Sequence, residues 1–190
     1  MSKNIFIVTA HPSSKGFTHQ IAAAYKKGHE AIGNTVEIMD LYKTDLKQGY
    51  LTYEDRSDLK QPDPIRSAIQ EKITAADEIV FVHPMWWISV PAIMKNFIDN
   101  NISAGYAFRY VNGRPVGLLK GKSSRVFITC DGSFFLYSLI AMPFWTIWRF
   151  GILGLCGLKV HGPHVFFQKF KKTEEQKQAF LNKVEKLARQ

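Results

Sequence analysis

Residues 78–95, EIVFVHPMWWISVPAIMK, join a continuous apolar run to a tryptophan-rich turn and a proline-led helix start. An unbroken apolar run is typical of a strand that is buried on both faces of a parallel sheet. Pro91 can open a helix, because proline is favoured in the first helical turn. The stretch therefore predicts a strand–turn–helix unit with two indole rings, those of Trp86 and Trp87, at the end of a buried strand.

The same alternation of apolar strand and amphipathic helix recurs along the chain. Strands are predicted over residues 4–9, 35–40, 78–83, 125–130 and 159–167. Helices are predicted to begin near residues 17, 64, 91, 136 and 174, the last behind a capping box. Five such units predict a doubly wound, three-layer α/β fold with a five-stranded parallel sheet in the order 2-1-3-4-5. Since the longer polar connections, 43–63 and 103–122, are not second domains, residues 1–190 are expected to form a single domain.

The composition is basic but carries no nucleic-acid signature. The 190 residues are 46% hydrophobic and have a formal charge of +9, from 25 Lys and Arg against 16 Asp and Glu. Such a surface can attract nucleotides, phosphates, nucleic acid or lipid headgroups. The basic residues form no long block; the densest run, Lys169–Lys172, is interpreted as a solvated turn. Because no recognition motif accompanies the charge, nucleic-acid binding is not expected.

The cysteines and the apolar segments favour a cytoplasmic protein without a metal site. Cys130 and Cys156 provide neither a disulfide framework nor metal-ligand spacing, and the apolar run at the N-terminus is too short for a signal peptide. Residues 133–148 carry no charge and approach the length of a membrane span. Pro143 and Arg149 argue for a buried or subunit-interface segment instead.

The first of three candidate loops, residues 9–18, ends at a helix N-terminus. Backbone N–H groups and the helix dipole make such a position a natural phosphate seat. Further donors are available from His11, Ser13, Ser14 and Thr18. An ordinary N-cap turn is the alternative interpretation. The chain has no GxGxxG, and residues 117–123, GLLKGKS, are one residue short of a phosphate loop and precede a strand.

The other two loops follow the third and fourth predicted strands. A tryptophan face can pack beside a planar heterocycle while nearby N–H groups bind its edge; one of Trp86 and Trp87 is expected in the core and the other in the site. In TCDGS, residues 129–133, small residues allow close approach of the backbone, whose N–H groups can stabilise growing negative charge. Tyr137 can reach the same ring, with packing alone as the alternative.

Together these motifs resemble the flavodoxin-like NAD(P)H:quinone oxidoreductase family, of the flavodoxin-2 type. The resemblance covers nearly the whole chain. It is carried by His11, Gly16-Phe17-Thr18, the stretch from Pro84 to Lys95, Thr129-Cys130-Asp131-Gly132 and Tyr137-Ser138.

The resemblance implies a flavin, FAD or FMN, and a set of residues around it. Its phosphates would lie over His11, Phe17 and Thr18. Its ring would sit among Pro84, Met85, Trp86, Trp87, Ile88, Thr129, Cys130, Asp131 and Gly132. Tyr137 would be the catalytic residue at the flavin edge. Family members are homodimers, so the apolar helix around Phe144, Trp145, Ile147 and Trp148 is expected at a subunit interface.

The implied activity is ping-pong, two-electron hydride transfer from NADH or NADPH through the flavin to a quinone or a similar aromatic acceptor. The chain departs from the family at Pro143, where the mammalian enzymes have a histidine, and at Cys130 and Asp131, which replace a threonine and a glycine. Two alternatives stay open. One is an ancillary subunit of a potassium-efflux transporter, in peripheral contact with it, and the other is a one-electron carrier, although such carriers are usually acidic.

Overall fold

The computed structural model describes residues 2–55, 58, 61, 63–135, 137 and 142–190. Its strands are β1 (Asn4–Thr9), β2 (Thr35–Asp40), β3 (Glu78–Pro84), β4 (Phe108–Val111), β5 (Arg114–Gly117), β6 (Ser123–Thr129) and β7 (Lys159–Phe166). Five of them form a parallel sheet in the order β2-β1-β3-β6-β7. This confirms the predicted order, because β6 and β7 are the fourth and fifth strands of the main sheet.

Helices cover both faces of this sheet. They are α1 (Phe17–Glu30), α2 (Pro64–Ala75), α3 (Ala92–Asn101), α4 (Met142–Thr146), which continues as a π-helix over Ile147–Gly154, and α5 (Glu174–Ala188). One core cluster lies under α1 and α5, and a second lies under α2, α3 and the α4–π segment. The three-layer α/β fold is therefore confirmed.

Burial of β3 on both faces explains why the apolar run at residues 78–83 decides the fold. Every residue of β3 is buried. Val80 and Val82 face the α1–α5 layer, while Ile79 and Phe81 face the opposite layer. Each such side chain contributes about 1.5–3 kcal/mol when removed from water. A strand with polar residues on one face could not occupy this central position.

The helix starts differ in a way that matters for the site. The Asp63 side chain caps α2 by accepting the Arg66 N–H at 3.0 Å. The predicted capping box of Thr173 and Gln176 is present at α5. Helix α1 begins at Gly16 without a side-chain cap and has no acidic residue in its first turn. Its first N–H groups are thus left for another partner.

Two parts of the fold differ from the sequence-based expectation. The connection 103–122 contains the antiparallel hairpin β4–β5, whose turn, Asn112-Gly113, has φ values of 51° and 75°. Of the predicted helix over residues 136–150, positions 136 and 138–141 lie outside the described residues. The described part runs on past residue 150, as the π-helix. Over the described residues, no helix is long and apolar enough to cross a membrane.

Candidate active site at the carboxyl edge of the sheet

The three predicted loops are neighbours in space. Ala10, after β1, donates its N–H to the Val82 carbonyl at 3.1 Å. Met85, after β3, donates to the Thr129 carbonyl at 2.8 Å, and Cys130, after β6, donates to the Phe166 carbonyl at 3.0 Å. Because these bonds continue the strand ladder, they bring the three loops into register at one edge of the sheet. Pro84 and Thr129 are paired and buried at that edge.

The first loop folds tightly around His11. The His11 Nδ1 atom lies 3.1 Å from the Ser13 nitrogen. A Cβ atom on Gly16 would come within 2.5 Å of the same ring nitrogen. Glycine allows the chain to pass the imidazole this closely at the N-cap of α1, so the loop and the helix start pack tightly together.

The start of α1 presents unpaired donors at this edge. Within the described part of the chain, the N–H groups of Phe17 and Thr18 have no acceptor. The Thr18 Oγ1 is buried and has no hydrogen-bond partner there either. Leaving a buried hydroxyl unpaired costs about 1–3 kcal/mol. The Phe17 side chain packs on Phe166, with ring centroids 4.7 Å apart, so only its backbone can serve a ligand.

The second loop is a two-residue reverse turn. Trp86 donates to the Ser89 carbonyl at 3.0 Å, and Ser89 donates back to the Trp86 carbonyl at 2.9 Å. Trp87 and Ile88, between them, have φ values of 53° and 55°, as in a type I′ turn. This region is unfavourable for bulky and β-branched residues, at about 1–3 kcal/mol each. Such strain is typical of functional sites.

The expectation that one indole belongs to the core is wrong. Trp86 is 41% exposed and Trp87 is 99% exposed. The strand alternation on which that expectation rested stops at the reverse turn, which carries both rings beyond the sheet. The N–H groups of Trp87 and Ile88 have no acceptor among the residues described. The loop therefore offers indole surface and two amide donors together.

In the third loop, Cys130 organises the backbone. The Gly132 N–H donates to the Cys130 Sγ at 3.3 Å. Burial raises the pKa of the Cys130 thiol, with a smaller contribution from Asp131, so the sulfur stays protonated at neutral pH. Asp131 is exposed. Its own N–H has no acceptor in the described part of the structure, which leaves it as the loop's free amide donor.

Tyr137 lies directly on this loop. A Cβ atom on Gly132 would overlap the Tyr137 ring, so the glycine lets the ring lie against the backbone. A cavity of about 510 Å³ opens beside the ring. Its lining includes Met85 and Tyr137 together with the aromatic side chains of Phe134, Phe144, Trp145, Phe167 and Phe180. The cavity is large enough for a planar aromatic molecule.

Sequence reasoning missed a fourth segment at the same edge. Residues 167–172 follow β7 and return to the third loop, where the Lys169 N–H donates to the Cys130 carbonyl at 3.1 Å. The rings of Phe134 and Phe167 meet edge to face at 5.4 Å. The signal was available, because the carboxyl end of every strand in a parallel sheet lies at the same edge.

His83, at the end of β3, was also missed. It is fully buried, and its Nδ1 lies 2.9 Å from the Pro84 carbonyl oxygen, to which it donates. Its ring stacks on Trp148 at 5.6 Å. Burial lowers the pKa of His83 to about 4, so the ring is neutral at pH 7. His83 therefore holds the start of the second loop through its hydrogen bond to the Pro84 carbonyl, and its ring is uncharged.

The apolar segment predicted as an interface is divided between core and surface. Phe144 and Trp148 are 7% and 1% exposed, so they belong to the protomer's own core. Ile147 and Phe150 are 56% and 64% exposed. For Phe144 and Trp148 the structure agrees with the buried alternative, because the helix turns their rings toward β3, and the interface stays a prediction for the exposed part of the segment.

The fold defines a flavodoxin-like α/β protein, and this edge, at the switch between β1 and β3, is its candidate ligand site. The family described as having the flavodoxin-like fold matches residues 3–188. The chain belongs to this flavodoxin-like family.

Its relatives include oxidoreductases. The chain is 35% identical over 130 residues to an uncharacterized NAD(P)H oxidoreductase of Haemophilus influenzae, spanning 66% of this chain and 63% of that protein. It is 31% identical to FMN-dependent NADH:quinone oxidoreductase 2 of Listeria innocua, over 73% of this chain and 72% of the relative. The crystal structure of Smu.1420 from Streptococcus mutans is 26% identical, with a TM-score of 0.84 over 98% of each chain.

Proposed function

We propose that this chain is a flavin-dependent NAD(P)H:quinone oxidoreductase whose site is the carboxyl edge described above. The observation that carries the proposal is the set of unpaired donors that three neighbouring loops hold at one edge of the sheet. They are the Thr18 hydroxyl and the N–H groups of Phe17, Thr18, Trp87, Ile88 and Asp131. Leaving the buried Thr18 hydroxyl unpaired is costly, whereas the amides of the exposed Trp87, Ile88 and Asp131 can bond water. A ligand rich in acceptors would satisfy the hydroxyl and use the amides beside it.

The start of α1 fits the phosphate of a flavin nucleotide. A phosphate there would accept the Thr18 hydroxyl and the N–H groups of Phe17 and Thr18, and the helix dipole favours its negative charge. The first turn of α1 contains no acidic side chain that would repel it. His11 stands beside this position, held by Ser13.

The second and third loops fit the ring system. The N–H groups of Trp87 and Ile88 would bind polar atoms at its edge, while the indoles cover a face. When bound, the flavin supplies the two-electron chemistry between NAD(P)H and the quinone. The Asp131 N–H and the Tyr137 hydroxyl would donate to negative charge that develops during reduction. The cavity beside Tyr137 would admit a planar aromatic acceptor.

We propose FMN as the flavin and a homodimer as the working form. FMN is supported by the name of the Listeria innocua relative. A homodimer is supported by the exposure of Ile147 and Phe150 on the π-helix, since a second copy would cover them. None of the relatives described above supports the transporter-subunit alternative, and cytoplasmic location stays a prediction.

The decisive experiment is an absorption spectrum of the purified protein. We expect a yellow protein that NADH or NADPH bleaches anaerobically and a quinone re-oxidises. Mass analysis of the released pigment should give FMN. A protein that stays colourless after incubation with FMN and with FAD would contradict the proposal.

A pair of variants tests the phosphate position. Thr18→Val keeps the side-chain shape and removes the hydroxyl; loss of a hydrogen bond to a charged group, about 1.5–3 kcal/mol, weakens flavin binding roughly 10- to 100-fold. Thr35→Val, at the opposite edge of the sheet, is the matched control and should bind as the wild type does. Equal affinity in the two variants, measured by flavin fluorescence, would remove Thr18 from the site.

A further inference from the structure

Beside the candidate site lies a surface of which the proposed function uses only Phe134, a ring that also lines the cavity. We call this surface the basic–aromatic turn and define it as Lys169, Phe170, Lys171 and Lys172 together with Phe134. Phe170 is 80% exposed and Phe134 is 68% exposed. The turn is fixed to the third loop by the bond from the Lys169 N–H to the Cys130 carbonyl, 3.1 Å long.

The turn carries excess positive charge that the protein does not neutralise. Residues 169–177 contain four lysines and two glutamates. Glu174 is paired with Lys177 at 2.6 Å. Lys169 lies over the Phe170 ring, 4.3 Å from its centroid, and over the described residues none of the three lysines of the turn forms an ion pair. The exposed Phe170 ring therefore lies among three ammonium groups that form no ion pair with the described residues.

We propose that the basic–aromatic turn docks the protein on an anionic lipid surface. Phenyl rings that enter the headgroup boundary and lysines that contact anionic headgroups are the two features that bind peripheral proteins to bilayers. A second copy of this chain fits the surface poorly, because it would bring the same three ammonium groups against those already there. Charge complementarity thus selects an anionic partner with an apolar layer beneath it.

The position of the turn connects this surface to the site. The turn and the loops of Trp87 and Asp131 share one edge of the sheet, so docking would bring the site's entrance to the membrane. This consequence rests on the proposed function and specifies its substrate class, a lipophilic quinone dissolved in the bilayer. Binding to lipid itself does not depend on the proposed function.

Vesicle co-sedimentation tests the docking. We expect the whole protein to bind vesicles of phosphatidylcholine with about 30% phosphatidylglycerol, and to be released at about 0.5 M salt. Pure phosphatidylcholine should bind it weakly. The double variant Lys171→Glu, Lys172→Glu should bind anionic vesicles at least about 25-fold more weakly, because each lost lysine reduces the affinity about fivefold. Lys3→Glu with Lys186→Glu is the control with the same charge change at other places, and it should keep most of the affinity.

The apolar part is tested by Phe170→Ser, compared with Tyr50→Ser at another highly exposed aromatic position. Only Phe170→Ser should weaken vesicle binding, by about fivefold or more. Equal binding to neutral and anionic vesicles, or equal loss in the test and control variants, would overturn the proposal. Two further results would overturn the proposal. If Phe170→Ser dissociated a dimer, the turn would contact a second copy of the chain. If the protein left the vesicles when loaded with FAD but not with FMN, the turn would bind the additional nucleotide of FAD.

Activity separates this inference from the proposed function. In the Lys171→Glu, Lys172→Glu variant we expect an unchanged rate with a water-soluble quinone and a rate at least about tenfold lower with a quinone embedded in anionic vesicles. Equal rates with the embedded quinone would overturn the inference and leave the proposed function intact. A protein that binds vesicles but reduces no quinone would overturn the proposed function alone.

Discussion

At the scale of single residues, Gly132 determines where Tyr137 can lie. The tyrosine ring lies where a side chain at position 132 would begin. The same glycine donates its N–H to the Cys130 sulfur, so the loop backbone and the ring are positioned together. If Tyr137 acts as a proton donor, its position depends on this missing side chain.

We therefore expect Gly132→Ala to impair catalysis more than stability. The new methyl group displaces the Tyr137 ring, and loss of its hydrogen bond to developing charge, about 1.5–3 kcal/mol, lowers kcat roughly 10- to 100-fold. Gly49→Ala is the control, since a Cβ atom there meets nothing within 4 Å. Quinone-dependent NAD(P)H oxidation measures the effect. Wild-type turnover in Gly132→Ala would show that the position of the ring is unimportant.

Also at the residue scale, the burial of His83 should make the free energy of unfolding depend on pH. Its pKa is lowered to about 4 by burial, whereas a histidine in the unfolded chain titrates near about 6.5. Between these values the unfolded state binds the extra proton. Stability is therefore complete above about pH 6.5 and falls as the pH decreases toward 4, by up to about 1.4 kcal/mol per pH unit.

Replacing His83 by phenylalanine should remove this contribution. The phenyl ring can still pack on Trp148, and the unpaired Nε2 of His83 disappears. We expect the free energy of unfolding of His83→Phe to depend less on pH between about 4 and 6.5 than that of the wild type. Urea titrations at several pH values give both slopes. Identical slopes would mean that His83 titrates normally in the folded protein.

At the scale of elements, the described residues contain two two-residue turns with positive φ values, and only one of them has a sequence that favours positive φ. The β4–β5 hairpin turns through Asn112 and Gly113, the pair that a type I′ turn favours. The turn after β3 uses Trp87 and Ile88 in the same backbone conformation. Asn112 and Gly113 adopt positive φ readily, whereas positive φ strains the backbone at Trp87 and Ile88. The difference indicates that Trp87 and Ile88 are retained for a reason other than stability.

Exchanging the two sequences tests this interpretation. Trp87→Asn with Ile88→Gly should raise the free energy of unfolding of the flavin-free protein by about 1–2 kcal/mol, while flavin retention falls. Asn112→Trp with Gly113→Ile should lower the free energy of unfolding by a similar amount and leave flavin retention unchanged. Denaturant unfolding and flavin fluorescence measure the two effects. If the first exchange destabilised the protein, the strain argument would be wrong.

These elements also show what the sequence could predict. Apolar runs located the central strands β1, β3 and β6, which are mostly buried. The edge strands β2 and β7 are partly exposed and carry polar residues, and they were located by their place in the alternation of strand and helix. Strand order then brought the three loops together. The hairpin was missed although Asn112-Gly113 is a strong turn signal. The exposure of both indoles was not predictable from alternation, because alternation ends where φ becomes positive. The parallel topology places the end of β7 at the same edge as the third loop, but the particular contact of Lys169 with Cys130 depends on tertiary packing.

At the scale of the whole molecule, the amino and carboxyl edges of the sheet differ in how their polar groups are paired. The amino edge holds Glu78, which is buried and lies 3.5 Å from His29 and 3.4 Å from Arg125. Burial would raise the pKa of Glu78, but these partners outweigh it and hold the pKa below its usual range. Every charge in this cluster has a partner, whereas the carboxyl edge keeps unpaired donors. The arrangement separates stability from ligand binding.

The proposed homodimer gives the last test at this scale. Ile147 and Phe150 expose apolar surface on the π-helix, and Arg149 lies between them. We expect Ile147→Asp with Phe150→Asp to convert a dimer into a folded monomer, because burying charged carboxylates in place of apolar side chains costs more than the neighbouring Arg149 can offset. Ile32→Asp, at a side chain 51% exposed elsewhere, should leave the dimer intact. Sedimentation velocity reports the state, and a wild-type monomer would exclude the proposed assembly.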